Sequence, residues 1–168
     1  MDETFRKILW QKFGAAIQML ENAIHDCPEE VWSDQTREPQ FWYTAYHTLF
    51  FLDFGLSESP DGFAPPAPFG LEEFDPAGVM PDRVYTKAEM QTYLEHGREK
   101  TRAAILGLTD EKARARFQYF STNVSVLELI LENLRHVQHH TAQLNLLLRQ
   151  RIDYAPRWIS RADPKLEV

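Results

Sequence analysis

Residues 134–140 read LRHVQHH and hold His136, His139 and His140, half of the six histidines in the chain. Positions four apart on a helix differ by about 40° in direction and stand on adjacent turns, so His136 and His140 can point at one ion. His139 is rotated off that axis, onto the flank. Alone, an H-x-x-x-H pair is a weak signal, because two inward histidines can equally be hydrogen-bonded core residues. Leu129, Gln143 and Leu147 fall on the same stripe as the pair, which predicts that the stripe faces inward. A third histidine, His47, stands between Tyr43 and Phe51 on the aromatic face of another segment with helical spacing. Neutral imidazole suits zinc, nickel, iron and copper. Three such nitrogens with one open position make the arrangement of a catalytic zinc site.

Competing chemistries lack their residues. Val137 follows His136, so the string is not H-E-x-x-H and brings no built-in glutamate base. No Glu-x-x-His pair occurs, which removes the di-iron bundle pattern. Cys27 is the lone cysteine, so no intrachain disulfide and no cysteine-rich zinc site can form; beside Pro28 it reads as structural. His25 reads as a surface residue at a helix end, and His96 as an exposed neighbour of an inward face. Around the three histidines, Gln143 can orient a ligand or substrate or simply make an interhelical hydrogen bond. Tyr43 reads first as a core tyrosine with a satisfied hydroxyl and otherwise as a donor to a bound oxygen, and His139 reads as a flanking residue or one behind the ligands. Glu132, one turn before His136, and Glu128 are the nearest carboxylates in sequence. Glu128 is better used as a helix cap, and neither makes a compelling general base.

The elements that must position these residues are helical. Phe5, Leu9, Phe13, Ala16, Ile17, Leu20 and Ile24 predict a first helix over Glu3 to Asp26, stopped by Pro28. A second is predicted from near Pro39, in its first turn, to Gly55. Residues 57–85 carry six prolines and cannot be helical throughout. They form the crossover that a bundle needs when successive helices run parallel, or a lid over one end of it. Capping boxes at Thr86–Glu89 and Ser125–Glu128 open the third helix, to about Leu106, and the fourth, to about Arg151. Met90, Tyr93, Gly97, Thr101, Ala104 and Leu108 mark the inward face of the third; Leu129, Leu131, Leu134, Leu144 and Leu147 mark that of the fourth. No segment reads as a strand. The expected fold is therefore all-α, a four-helix bundle in one domain over 1–168. An irregular tail is expected over 152–168, with Trp158 tucked onto the bundle.

Composition narrows the partners. A chain of 168 residues is long enough to bury a real core. Its net charge of −7 argues against nucleic acid, and Lys112, Arg114 and Arg116 read as a solvated basic turn. The charged N-terminus lacks the apolar run of a signal peptide, and no stretch approaches the ~20 apolar residues of a membrane span, so a cytoplasmic protein with no membrane partner is expected.

With these strings in view, the chain resembles the DinB/YfiT-like superfamily of four-helix bundles. The match lies in FWYTAYHTLFFLDFGLS, which gives His47, and in RHVQHHTAQLNLLLRQ, which gives His136, His140 and Gln143. Helix spacing and the proline-rich crossover extend it over nearly the whole chain. The family often has Arg-Gly before the glutamine; Thr141-Ala142 stand here, away from any ligand. The resemblance implies one divalent metal, zinc or nickel, held by His47, His136 and His140 with water completing the shell. It also implies a homodimer, and either a transferase or isomerase using a low-molecular-weight thiol on a small-molecule substrate, or a metal-dependent hydrolase. The alternative is a non-catalytic helical module, stapled by metal or free of it.

Overall fold

The computed structural model describes residues 1–163. Helix α1 (Glu3–Asp26) starts on Asp2, whose carboxylate accepts from the Phe5 amide, and stops before Pro28. One helical turn, α2 (Glu29–Trp32), buries Trp32, whose indole N–H donates to the Tyr85 carbonyl at 2.9 Å. Helix α3 (Phe41–Phe54) begins after Pro39, so the proline precedes the helix instead of occupying its first turn. It ends at Gly55, which stays right-handed (φ −68°), so the stop is not a left-handed cap. Helix α4 (Lys87–Leu106) opens on the Thr86–Glu89 capping box. A short α5 (Asp110–Arg114) follows, then strands β1 (Arg116–Tyr119) and β2 (Thr122–Ser125). The Ser125–Glu128 capping box opens α6 (Val126–Ile152).

The two strands correct the expectation that no segment forms a strand, while the fold stays mostly helical and all-α in class. They pair antiparallel with Tyr119 opposite Thr122, and Phe120 in the turn takes a left-handed φ of +47°. Phe117 is buried while its neighbours in β1 are not, and Thr122 and Val124 are β-branched. Each run is only four residues long, and the turn has none of the Asn-Gly or Asp-Gly chemistry that marks a hairpin. A periodicity reading over a helix-length window misses it.

The four long helices share one core. α1 packs against α4 and α6, and α3 packs against the same two. Phe13, Ile17 and Leu20 of α1 meet Leu49 and Phe50 of α3, Met90 and Tyr93 of α4, and Val137 and Leu144 of α6 in a continuous apolar cluster. α3 is apolar nearly all the way round because the segment 57–85 covers the side its neighbouring helices leave. That segment is held down by aromatic rings: Phe69 stacks on Tyr93 (4.4 Å between centroids), and Phe74 meets Phe50 and Phe54 edge-on at 4.9 Å each. The Tyr46 hydroxyl hydrogen-bonds to the Gly70 carbonyl and the Glu72 carboxylate, each at 3.2 Å. One turn of 3₁₀ helix, Glu72–Phe74, is its regular structure.

Two smaller expectations also change. Leu131, expected inward, is exposed. Trp158 stands out at 68% exposure instead of tucking in. The tail docks through Ala162, whose N–H donates to the Gln11 carbonyl and whose methyl occupies the space a side chain at Gly14 would need. The end of the expected tail, 164–168, lies outside the described residues. No helix among the described residues is long and apolar enough to cross a membrane.

Candidate metal centre

α3 and α6 lie side by side and bring His47, His136 and His140 together. One nitrogen of each lies within 4.8 Å of the others, a group able to hold a metal ion. The rings of His136 and His140, one turn apart on α6, have centroids 4.4 Å apart, and that of His47 is 5.2 and 4.8 Å from them. His47 packs against Phe51 at 4.9 Å, on the aromatic side the sequence predicts. The stripe is less central than expected. The buried line of α6 runs through Ile130, Val137, Thr141, Leu144 and Leu148. His136 and His140 sit one position off that line, about 100° round the helix. They are half-buried, and Gln143 is exposed. The histidines thus stand at the margin of the core, where a solute can reach them.

The nitrogens are sorted by what lies behind them. Nδ1 of His47 is 2.8 Å from Oε2 of Glu73, and Nδ1 of His140 is 2.7 Å from Oε1 of Gln143. Both outer partners are acceptors, so each Nδ1 carries the proton and each Nε2 is left with its lone pair. Gln143 in turn donates from Nε2 to Nε2 of His139 at 3.3 Å, so His139 stands behind the pair and not within it. Nε2 of His47 faces Nε2 of His136 at 3.3 Å. Two lone pairs at that separation repel unless a proton or a metal lies between them. Burial, reinforced by the neighbouring His140 and His47, pushes His136 down to about 3 and keeps its ring neutral. Burial also lowers His140, against the opposing hydrogen bond from Gln143. Three imidazoles with converging nitrogens fit a divalent cation.

Glu73 is the residue that the sequence leaves out. Its side chain is only 5% exposed, and it comes from the 3₁₀ turn of the crossover, not from any helix. Adjacent carboxylates thus serve adjacent residues of α3: Glu72 takes the Tyr46 hydroxyl and Glu73 takes His47. Tyr43 lies one turn before His47, with its phenol pushed up to about 12 by burial and then by the charge of Glu73. It is therefore a neutral hydroxyl beside the site. The carboxylates sought on α6 play other parts: Glu128 holds the Ser125 amide and hydroxyl in the helix cap, and Glu132 is exposed. His96 points at the buried Asp53 instead (3.3 Å), and His25 is on the surface against Asp26.

A family model of the DinB superfamily matches residues 12–144. The chain belongs to the DinB superfamily. The match spans α3 and most of α6, and therefore all three histidines and Gln143. No curated protein matches this DinB chain. Beside its histidines, a cleft of about 250 Å³ opens between α3, the start of α6 and the hairpin. Phe51, Phe54, Leu129 and Tyr119 form its walls, with His47 and His136 at one edge and Glu132 and Asn133 on the α6 side.

Proposed function

We propose that this DinB protein is a four-helix-bundle metalloenzyme that binds one divalent ion, zinc or nickel, through His47, His136 and His140. The reading rests above all on one observation: three imidazoles from two helices converge, with His47 backed by a buried carboxylate. Among the described residues, no fourth His, Cys, Asp or Glu joins the group, which supports an open position and argues against a closed structural site. A divalent ion held there supplies Lewis acidity, which favours ionisation of a water or thiol at neutral pH.

The chain's own residues do the rest. Glu73 accepts from Nδ1–H of His47 and fixes both the tautomer and the ring orientation. Gln143 does the same for His140 from the opposite side. Tyr43 keeps its proton and donates it in a hydrogen bond to Glu73, which helps hold that carboxylate against His47. The aromatic walls of the cleft give one side of the site an apolar surface. Among the described residues, no carboxylate stands ready as a general base, since Glu73 is committed to His47 and Glu132 is solvated. This favours transfer of a small thiol over hydrolysis, because a thiol needs less help to ionise than water does. The test is to screen thiol-accepting electrophiles and simple esters with and without a chelator. Chelator-sensitive thiol transfer supports the reading; turnover indifferent to chelation rules it out.

A further inference from the structure

The cleft beside the histidines carries its own chemical signature. At about 250 Å³ it is smaller than the usual drug-sized site and holds the volume of about eight waters. Phe51, Phe54, Leu129 and Tyr119 make it largely apolar, while Gly55 contributes no side chain. Among the described residues, no Lys or Arg lines it. Of its lining residues, Glu132 alone carries a full charge, and it is exposed at the α6 side. A carboxylate or phosphate on a ligand would meet that glutamate with no counter-cation in the lining. An ammonium group would meet the Glu132 carboxylate, with no like charge among the lining residues to oppose it.

We propose that the cleft selects a small amine substrate, with its apolar body between Phe51, Phe54 and Leu129 and its ammonium at Glu132. This turns the body's far end toward His47 and His136. The placement of the reacting end rests on the metalloenzyme reading above; the amine subsite itself does not need the metal.

The test uses benzylamine, benzyl alcohol and benzoate as probes, titrated into the full-length protein and followed by NMR. Each titration is run on protein as purified and again after chelation, so that a carboxylate binding to metal is not mistaken for one binding in the cleft. In chelated protein, benzylamine is expected to bind about fivefold more tightly than benzyl alcohol, a size set by one solvent-screened charge pair, and benzoate more weakly than either. Glu132→Gln, at an exposed position, should bring benzylamine and benzyl alcohol level. Leu129→Trp should fill the cleft and abolish binding of all three. Equal affinity for benzylamine and benzyl alcohol in the unsubstituted chelated protein overturns the proposal, as does a preference that survives Glu132→Gln. If no metal is found but the amine preference persists, the metalloenzyme reading fails and the cleft assignment stands.

Discussion

Glu73 offers the sharpest test of how this centre is built. Replacing it with alanine removes the acceptor 2.8 Å from Nδ1 of His47 and leaves that N–H in a nearly closed pocket. A charge-assisted hydrogen bond of this kind contributes about 1.5–3 kcal/mol. Loss of a carboxylate behind a metal-binding histidine typically weakens the metal about 10- to 100-fold, which is about 1.4–2.7 kcal/mol. The two figures agree, so Glu73→Ala should raise the zinc dissociation constant by about one to two decades. Glu73→Gln keeps an acceptor without the charge and should fall at or below the lower end of that range. The assay is competition against a chromophoric chelator at fixed pH, with thermal melts run in parallel. Removing one partner also leaves the His47 N–H unpaired and a cavity behind it, so the metal-free melt should fall as well, and the zinc constant is read on protein shown to be folded. A correctly folded Glu73→Ala protein whose zinc affinity lies within twofold of the unsubstituted protein would refute the positioning role.

Three further outcomes follow from other parts of the molecule. Gly55→Ala would set a Cβ 2.8 Å from Nδ2 of Asn133, which donates to the Leu52 carbonyl, so a loss of about 1–3 kcal/mol is expected in denaturant melts; an unchanged midpoint would contradict the packing. Burial pushes the Cys27 thiol up to about 12, so it should resist a thiol reagent in the native protein and react fully once unfolded; rapid native labelling would show the site is open. Burial pushes His136 in the folded protein down to about 3, below its ordinary 6.5, so the unfolded chain binds the proton more readily and stability should fall as pH drops from about 6.5 toward 3. In metal-free protein, His136→Gln should flatten that part of the profile, and identical slopes would contradict the assignment.

Much of this arrangement is legible in the sequence, because helices convert spacing into direction. His136 and His140 are four apart, and the apolar rhythm of their helix shows which way the pair turns. His47 is found by the same rule on α3. The rule errs by one position: the pair flanks the buried line through Val137 and Thr141, and Leu131 faces solvent. Glu73 is invisible to it. It reaches His47 from 26 residues away, through a segment with no periodicity, and only the packing of Phe69 and Phe74 fixes its position. A pair of acids beside aromatic residues in a proline-rich stretch was the one available sign. The hairpin escaped for a related reason: Tyr119 and Thr122 are brought together by pairing, in runs too short to show an alternation.

The central claim is that three histidines hold one metal ion, and metal content measures it most directly. Protein purified without an affinity tag, and its His47→Ala and His136→Ala variants, should be analysed by mass spectrometry for zinc and nickel after exhaustive dialysis. The account predicts about one divalent ion per chain in the unsubstituted protein and a loss of most of it in either variant. Equal metal in all three proteins would contradict it.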